Sequence, residues 1–465
     1  MRGTTRRTAG RRSARRVLPP ATLAAGLILL VAGCAGGPPR HTARPVPAPP
    51  TSRDRPAPEV TPARDTRSFG DGLDVRIGLS WETGAFEVTS LRGLRLRVPG
   101  EEELVVSGGR RLVITVRDGT KVRVAEAGGR FLREGPTVRI HPVADADLFA
   151  AERRVRGRLE LSARADSLFA VNVLPLEDYL RGVVPREIGP RPESEREAVA
   201  AQAVAARTYT VKRLGQYNSL PFDLYATVQD QAYDGVGGEN DVADAAIRET
   251  EALILADGQG PIEAYYSSTC GGRRSDIAEV WPHRDVYECL RGGPDGDPGR
   301  EWCASSRYYQ PWSETWDGGR LSRLVRENVP VLLELPPGSV KGDLVDVRVT
   351  GRGPSGRATG IEYVTTAGRW TVPGDKNRWV LRRQEGGILR SVLVELQVRK
   401  SGGRVAAMTA TGRGNGHGVG MCQVGAIGRA AAGVSFREIL QAYYPGAELR
   451  PIGGEDLPEG RSASS

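Results

Sequence analysis

The segment that decides the fold is residues 174–214, with the sequence LPLEDYLRGVVPREIGPRPESEREAVAAQAVAARTYTVKRL. Its first part, 176–181, suits a short helix, because Pro175 lies just before it and proline is favoured at the start of a helix. The next part, 182–190, contains two prolines and two glycines, which predict a loop. The sequence SERE at 194–197 predicts a capping box. The alanine-rich run 198–214 then predicts a long helix with small faces for close packing.

On both sides of this helical centre, apolar and polar residues alternate in short runs. Such period-two runs, bounded by Gly and Asp, predict antiparallel strands. The predicted strands are at 75–79, 94–98, 112–116, 121–124, 156–161 and 168–173, with further β-type runs within 344–398. Other predicted elements are a helix at 241–251, a strand at 252–256 and an amphipathic helix at about 435–443. The predicted fold class is α+β, a β-rich frame around a helical centre that carries the loop.

The N-terminal residues 1–33 have the features of an export signal. They contain seven arginines and no acidic residue, and an apolar run at 21–31 precedes Ala32 and Gly33. This run is shorter than the roughly 18–20 residues that span a bilayer. Because Cys34 follows directly, the segment resembles the lipobox of bacterial lipoproteins, and Cys34 would carry the lipid. The alternative is an ordinary secretory signal followed by a chance cysteine.

Composition and charge separate a tether from the folded body. Residues 35–67 are rich in Pro, Arg and Ala, which predicts a disordered spacer or a disordered remnant without function. The formal net charge is +9, and without the seven signal arginines and the tether's surplus of three the body is near −1. This balance argues against nucleic-acid binding. The predicted organisation is a signal at 1–33, a lipidated disordered tether at 34–67, a β-rich region at 68–165, the main domain at 166–450 and a disordered tail at 451–465.

Glu187 is the candidate for acid–base chemistry. Apolar neighbours raise the pKa of a carboxyl group, and a carboxyl that is protonated near neutral pH can donate a proton to a glycosidic oxygen. Most glycoside hydrolases need a second carboxylate, whereas a lytic transglycosylase can act with one, because the 6-hydroxyl of muramic acid attacks the anomeric carbon. A loop glutamate is usually solvated, so the interpretation depends on its surroundings. The apolar neighbours in sequence are Val183, Val184, Pro185, Ile188 and Pro190.

Several sequence blocks occur in an order that identifies a family resemblance. The blocks are LPLEDYL at 174–180, GVVP at 182–185, Glu187, AQAVAARTY at 201–209, QAYDG at 231–235, YYSSTCGG at 265–272, Arg382, LRS at 389–391 and GNGHGVGMCQ at 414–423. Over about residues 75–450 the chain resembles the family of stage II sporulation protein D and the amidase enhancer. The resemblance implies cleavage of peptidoglycan glycan strands, in the sporulation protein strands already stripped of stem peptides. Glu187 matches the family's catalytic glutamate.

Four residues within these blocks are candidates for contact with the substrate: Arg207, Tyr209, His417 and Gln423. For Arg207, an ion pair that anchors the helix competes with saccharide contact, because a buried arginine is normally paired. Tyr209 is of a type more often found in the core. His417 lies among glycines that allow close backbone approach, so it would bind a sugar, orient Glu187, or be a satisfied histidine in a tight turn. An aromatic cluster is expected either in the core or against sugar rings: Trp281, Trp302, Tyr308, Tyr309, Trp312 and Trp316.

The cysteines after Cys34 allow two chemistries. They are Cys270, Cys289, Cys303 and Cys422. One or two disulfides are the default prediction, since an exported chain meets oxidising conditions. Structural zinc is the alternative, because some members of the family bind it near the Cys-Gly-Gly block through Cys and His. This chain departs from that pattern, with Arg273 and Arg274 after the glycines and His283 as the nearest histidine, but a thiolate-rich site stays open. No cofactor is required for the proposed chemistry.

Two functions of different classes are compatible with these features. The first is a membrane-tethered lytic transglycosylase in which Glu187 acts as acid and then as base, leaving 1,6-anhydro-muramic ends. The second is a non-catalytic peptidoglycan-binding module that enhances a cell-wall amidase, since a fold does not imply an activity. A structural envelope lipoprotein is a third. The expected partners are glycan strands, an amidase and, through the lipid, the membrane. The expected location is the bacterial cell envelope, exported and lipid-anchored, facing the periplasm or cell wall.

Overall fold

The computed structural model of the chain describes residues 72–81, 84–144, 146–217, 219–284 and 287–458. All of them belong to one unit, Asp65–Ser465. The predicted export signal and the whole of the predicted tether, including Cys34, lie outside the described residues, and the domain boundaries stay predictions. The described residues form helices and several sheets, which confirms the α+β fold class.

Strands dominate the described residues before the first helix. They are β1 (Asp74–Ser80), β2 (Phe86–Thr89), β3 (Leu94–Arg97), β4 (Leu104–Val106), β5 (Arg111–Arg117), β6 (Lys121–Glu126), β7 (Phe131–Gly135), β8 (Thr137–Pro142), β9 (Leu148–Ala150), β10 (Arg153–Val155), β11 (Arg158–Arg164) and β12 (Ser167–Pro175). The period-two pattern is confirmed in β5, where Leu112 and Ile114 are buried and the terminal arginines are exposed.

These strands form two sheets that share one hydrophobic core. Together with β13 (Leu224–Tyr225), the first has the order β13-β1-β12-β11-β8-β3-β4, and the second has the order β10-β9-β2-β5-β6-β7. Neighbouring strands are antiparallel except for the parallel pair β1 and β13. Because β12 ends at Pro175 and the next helix begins at Leu176, the first sheet sets where that helix starts.

Eight helices lie within the described residues. They are α1 (Leu176–Ile188), α2 (Arg196–Arg213), α3 (Asp241–Glu249), α4 (Ile277–Val280), α5 (Gly318–Leu332), α6 (Asn377–Val380), α7 (Gln423–Ala431) and α8 (Phe436–Tyr443). The central helix is α2, in which 15 of 18 residues are buried. Its alanine side chains leave room for α1, α3, α7 and α8, all of which contact it. The predicted helices at 241–251 and 435–443 are confirmed as α3 and α8.

The predicted loop at 182–190 is wrong for most of its length, because α1 continues to Ile188 with Pro185 inside it. A proline within a helix removes one backbone hydrogen bond and costs about 3 kcal/mol. Tertiary packing offsets this cost, since Val183 and Val184 are fully buried. The helix ends at Gly189, whose φ of 79° favours glycine.

The predicted capping box at 194–197 is also wrong. Residues Glu193–Glu195 form a 3-10 turn, and α2 begins at Arg196 without a side-chain cap. The carboxylate of Glu197 instead accepts a hydrogen bond from the backbone N–H of Phe436, at 2.7 Å. The Glu197 carboxylate therefore binds the start of α8 and forms no capping hydrogen bond at the start of its own helix.

The remaining strands follow the central helices. They are β14 (Leu253–Asp257), β15 (Gly260–Pro261), β16 (Tyr266–Ser267), β17 (Arg273–Arg274), β18 (Gly293–Pro294), β19 (Gly296–Asp297), β20 (Arg300–Glu301), β21 (Trp312–Asp317), β22 (Leu344–Arg352), β23 (Ala358–Thr365), β24 (Gly368–Pro373), β25 (Val394–Ser401), β26 (Arg404–Gly412), β27 (Met421–Cys422) and β28 (Glu448–Pro451). The sheets β21-β26-β25 and β22-β23-β24 pack with α5 around a second core that contains Trp312 and Trp316. For these two tryptophans, core packing is the correct alternative.

Candidate active site

Glu187 lies on the last turn of α1, not in a loop. Its Oε1 accepts a hydrogen bond from the backbone N–H of Ala232 at 2.8 Å. Among the described residues, no donor reaches Oε2. Burial raises the pKa of Glu187 to about 7, although the Ala232 N–H and the positive charge of Arg186 act in the opposite direction. The carboxyl group is therefore partly protonated near neutral pH, as a general acid must be.

The polar neighbours of Glu187 are organised by one buried amide, Gln231. Its Oε1 accepts hydrogen bonds from the hydroxyls of Tyr179, at 3.3 Å, and Thr210, at 2.8 Å. Its Nε2 donates to the hydroxyl of Tyr266 at 2.9 Å. Burial raises the pKa of both tyrosines, and the charge of Glu187 adds to this rise. The carboxyl group thus lies beside phenols that stay neutral and supply no counter-charge.

Gln423, at the start of α7, holds the end of α1 in place. Its Nε2 donates to the backbone carbonyl of Glu187 at 3.1 Å and to Oε1 of Gln202 at 3.2 Å. The side chain thereby satisfies one of the carbonyls that every helix C-terminus leaves without a partner. Since Gln423 is only 6% exposed, its predicted contact with substrate is corrected to a positioning role.

Arg207 has no exposed surface. Its side chain is 0% exposed and pairs with both carboxylate oxygens of Glu177, at 2.8 and 2.6 Å. It also donates to the carbonyl of Leu253 at 3.0 Å. The predicted contact between Arg207 and substrate is therefore wrong, and the helix-anchoring alternative describes the residue. The physical reason is that a fully buried guanidinium is strongly destabilising unless a carboxylate pairs with it, and Glu177 is that partner.

The Gly-rich segment between β26 and β27 forms a tight turn. Gly414, Gly416, Gly418 and Gly420 have φ values between 68° and 110°. A Cβ at Gly418 would lie 2.4 Å from the Arg357 guanidinium, and one at Gly420 would lie 2.0 Å from a backbone carbonyl. Close approach to neighbouring segments thus explains two of these glycines directly.

His417, within this turn, is satisfied by its own surroundings. Its Nδ1 accepts a hydrogen bond from the backbone N–H of Val419 at 3.1 Å. Its ring packs 5.2 Å from the ring of Trp281 and 6.0 Å from that of Tyr265. Burial lowers the pKa of His417 to about 4, so the ring is neutral at pH 7. These contacts favour the alternative of a satisfied histidine in a tight turn, and contact between His417 and a sugar stays a prediction.

An open cleft of about 220 Å³ is lined by residues of the segments next to α2 and next to Ala232. Its lining residues are Tyr209, Arg213, Gln216, Tyr217, Gln229, Asp230, Tyr265, Trp281 and Arg284. Glu187 is not itself in the lining, but Asp230 precedes by two residues the Ala232 amide that binds it. Two residues span at most about 7 Å of chain, so the amide that binds the Glu187 carboxyl group lies within about 7 Å of a cleft residue. Of the four candidates for substrate contact, Tyr209 is the one that lines this cleft, and Trp281 of the aromatic cluster lines it as well.

The cleft wall combines aromatic rings with charge. The Arg213 guanidinium lies 3.6 Å from the ring centroid of Tyr209 and pairs with Glu263 at 2.8 Å. The Tyr209 hydroxyl donates to Asp230 at 3.3 Å, and burial raises the pKa of Asp230. Asp230 and Arg213 were missed by the sequence analysis. The only signal for them was their position, directly beside the blocks at 231–235 and 201–209.

The four described cysteines are free thiols, which contradicts the predicted disulfides. Cys270, Cys303 and Cys422 converge with Asp295, and their ligand atoms lie within 4.8 Å of one another. Cys289 is buried outside this group. Asp295 was also missed, because nothing local in the glycine-rich sequence at 292–299 distinguishes it from a turn residue.

No helix in the part of the chain that the structure describes is long and apolar enough to cross a membrane. This statement does not extend to residues 1–71, where the predicted lipidation at Cys34 stays a prediction.

Comparison with known proteins supports the resemblance. A family model described as Stage II sporulation protein matches residues 164–256, which include α1, α2 and α3. The chain is 30% identical to the amidase enhancer of Bacillus subtilis over 302 residues, which are 58% of this chain and 40% of that protein. It is 28% identical to stage II sporulation protein D of Bacillus amyloliquefaciens over 298 residues, 60% of this chain and 75% of that protein. An uncharacterised protein of Brachyspira hyodysenteriae is 28% identical over 292 residues, 61% and 69% of the two chains.

Proposed function

Since this chain belongs to the family of stage II sporulation protein D and the amidase enhancer, we propose that it is an exported cell-wall protein that cleaves peptidoglycan glycan strands as a lytic transglycosylase. The observation that carries the proposal is the state of Glu187. Its carboxyl group has a pKa of about 7 and one oxygen fixed by the Ala232 amide. The other oxygen is left for a reacting group.

The proposed reaction needs one carboxyl group. Protonated Glu187 gives its proton to the glycosidic oxygen as the bond from that oxygen to the anomeric carbon breaks. The 6-hydroxyl of the same muramic acid then forms a bond to the anomeric carbon and returns its proton to the Glu187 carboxylate. The products are one strand with a free hydroxyl and one with a 1,6-anhydro end. The enzyme finishes in its starting protonation state.

The cleft is suited to an extended polymer. At about 220 Å³ it is open and smaller than the roughly 300–1,000 Å³ of enclosed small-molecule pockets. Tyr265 and Trp281, with ring centroids 4.7 Å apart, offer apolar faces on which pyranose rings can stack. Arg213 and Arg284 both line the cleft and share one counter-ion, Glu263, so two guanidinium groups with one carboxylate between them lie beside these rings, which favours the lactyl carboxylate that muramic acid carries once its stem peptide has been removed.

The test is product analysis with the variant Glu187→Gln. Wild-type protein incubated with amidase-stripped glycan strands should release 1,6-anhydro-muramic ends, detected by mass spectrometry. Since a general acid contributes roughly 10²–10⁴-fold, the variant should be slower by at least about 100-fold. Glu193→Gln is the matched control, because the Glu193 side chain is 69% exposed and lies outside the site; it should cleave at the wild-type rate. If wild type and Glu187→Gln both released anhydro ends equally, Glu187 would not be the acid.

A second candidate, enhancement of a cell-wall amidase, is favoured by the 30% identity to the Bacillus subtilis protein of that name. In this alternative the same cleft binds glycan without cleaving it. Purified amidase should then release stem peptides faster when this protein is added, and Glu187→Gln should stimulate it as well as wild type does. Stimulation without any anhydro product from wild type would favour this function over the first.

A further inference from the structure

The chain segment 226–232 leads from the short strand β13 to the backbone amide that binds Glu187. Its turn at 227–229 is exposed, and Val228 is 90% exposed, so apolar packing does not fix this turn. The position of the Ala232 N–H, 2.8 Å from Oε1 of Glu187, therefore depends on the hydrogen bonds that the segment makes.

Backbone hydrogen bonds hold the ends of this segment only weakly. The N–H of Ala226 donates to the carbonyl of Gly78 at 3.3 Å, and the N–H of Tyr233 donates to the carbonyl of Ala226 at 3.5 Å. Both distances are longer than the range of about 2.7–3.2 Å that is typical of N–H···O hydrogen bonds. Side chains must therefore supply much of the restraint on the segment.

The carboxylate of Asp230 connects the segment to its surroundings. Its Oδ2 accepts a hydrogen bond from the backbone N–H of Tyr225 at 2.8 Å, which joins the segment to the end of β13. Its Oδ1 accepts hydrogen bonds from the hydroxyls of Tyr209 on α2, at 3.3 Å, and Tyr217, at 3.2 Å. Because Asp230 lies two residues before Ala232, these contacts also restrain the Ala232 amide.

The energetics of this carboxylate are a second observation. Burial raises the pKa of Asp230, although the Tyr225 N–H, the charge of Arg213 and the two tyrosine hydroxyls act in the opposite direction. A partly desolvated charge destabilises the folded state, and such groups concentrate at functional sites. Since Asp230 also lines the cleft, a role in the site is favoured over a role in stability.

We propose that Asp230 is a positioning residue, which holds segment 226–232 so that the Ala232 amide binds Oε1 of Glu187 in the geometry that proton transfer needs. Both oxygens of Asp230 already accept hydrogen bonds from the protein, whereas Oε2 of Glu187 is the oxygen left for the reacting group. The two carboxyl groups therefore have different roles. This role of Asp230 deepens the proposed function at the same site and rests on it for the predicted loss of activity.

Displacement of the Ala232 amide would change the acidity of Glu187 in a defined direction. The amide lowers the pKa of Glu187, which burial raises to about 7, so loss of the amide raises this pKa further. A general acid loses activity as it ionises, so the alkaline limb of the pH–rate profile would move to higher pH, by roughly one pH unit.

Several charged and titratable groups surround the two carboxyl groups, and substitution of Asp230 leaves all of them in the chain. They are Arg186 and Tyr179 on α1, Tyr209 and Arg213 on α2, Tyr217, Tyr225 on β13 and Tyr266 on β16.

The test separates position from charge with variants of the full-length protein. In Asp230→Asn the amide oxygen can accept from the Tyr225 N–H while the tyrosine hydroxyls rotate to accept from the NH₂ group, so kcat on amidase-stripped glycan strands should stay within about threefold of wild type. Asp230→Glu keeps the charge but displaces the carboxylate by one methylene, and Asp230→Ala removes it. Both should move the alkaline limb to higher pH, and Asp230→Ala should lower kcat by at least about 10-fold.

Asp317→Ala is the matched control. The Asp317 carboxylate also accepts a backbone N–H, that of Arg320, at 2.8 Å, but it does so at the start of α5, which packs in the second core. This variant loses a comparable hydrogen bond outside the site and should keep the wild-type pH profile.

A titration that needs no activity distinguishes failure of this positioning role from failure of the proposed function. The Glu187 carboxyl group can be followed by ¹³C NMR and assigned by its absence in Glu187→Gln. Its midpoint should lie near pH 7 in wild type, stay there in Asp230→Asn, and rise in Asp230→Glu and Asp230→Ala, even if wild type releases no anhydro product.

Two results would overturn the proposal. One is an unchanged Glu187 midpoint in both Asp230→Glu and Asp230→Ala, and the other is a rise in Asp230→Asn as large as that in Asp230→Glu, which would assign the effect to charge. If Asp230→Ala fails to fold, the contrast between Asp230→Asn and Asp230→Glu still decides.

Discussion

The burial of the Glu187 carboxyl group affects both its pKa and the stability of the folded protein. The helix end that removes its carboxyl group from water raises the pKa to about 7, which is useful for proton donation. The same desolvation destabilises the folded protein wherever the carboxyl group is ionised, because the unfolded chain solvates the charge fully. The Ala232 amide and Arg186 offset only part of this effect.

Glu187→Gln should therefore stabilise the protein in a pH-dependent way. Below the ordinary pKa of 4.5 both states of wild type are protonated, and the variant should match it. As pH rises from there to about 7, the unfolded state ionises first and wild type loses stability relative to the variant. Above pH 7 the difference should reach roughly 2–3 kcal/mol, measured by urea unfolding at pH 4.5 and pH 8. Equal differences at both pH values would contradict the proposed cause, and exposed Glu193→Gln should show no such dependence.

At the scale of the element, α1 persists through a proline because of what it packs against. Arg181, 1% exposed, pairs with Asp178 in its own helix and with Glu239 and Asp244 around α3. These ion pairs and the buried valines hold the helix where local propensity favours a loop. The extra turn is what carries Glu187 to the Ala232 amide.

Gly182→Ala tests how tightly α1 is held. An added Cβ would lie 2.6 Å from Cε2 of Tyr233 and 3.0 Å from the backbone nitrogen of Gly235. Overpacking of this kind costs about 1–3 kcal/mol, more than the roughly 0.5–1 kcal/mol that alanine gains over glycine in a helix. The net loss should appear in urea unfolding. Gly237→Ala, where a Cβ meets nothing within 4 Å, is the control, and a fully stable Gly182→Ala would mean that α1 can shift freely.

The sequence was sufficient for the elements whose signals are local. The strands with period-two patterns and the alanine-rich α2 could both be predicted. The end of α1 could not, because Pro185 and Gly189 argue for a loop and only distant partners overrule them. The roles of Arg207, His417 and Gln423 depend on contacts with Glu177, Val419 and Glu187, and a sequence without coordinates does not reveal them. Asp295 meets Cys270, Cys303 and Cys422 only in the folded chain, so the sequence alone does not reveal this cluster either.

At the scale of the whole molecule, residues of the second half of the chain contact the Gly-rich turn near the candidate site. Gly416 donates its N–H to the carbonyl of Arg390 at 2.7 Å. Arg357, which directly precedes β23, donates to the carbonyl of Cys270, and its guanidinium lies against Gly418 of the turn. The turn that carries His417 is therefore fixed between the two cores. Since the rings of Trp281 and Tyr265 pack on His417, the turn also helps to fix the position of these two rings.

Attachment to a membrane is a separate prediction that concerns Cys34. If Cys34 carries a lipid, wild-type protein should partition into the detergent phase of a Triton X-114 extract, and Cys34→Ser should move to the aqueous phase. Mass spectrometry of the mature N-terminus should find acylated Cys34. An unmodified N-terminus at another position would instead indicate an ordinary secretory signal. Cys289→Ser, which changes a thiol in the folded domain, should leave the partitioning unchanged.

The hydrogen bond from Gln423 to the Glu187 carbonyl joins residues 236 positions apart, and this separation has a consequence for biosynthesis. A ribosome releases α1 long before it has made α7, and chains begin to fold from the N-terminus during synthesis. The nascent chain therefore contains Glu187 early but can complete the surroundings of its carboxyl group only near the end of translation. A chain that is truncated before α7 would retain Glu187 and lack the Gln423 side chain that binds its carbonyl, so premature termination leaves the surroundings of Glu187 incomplete.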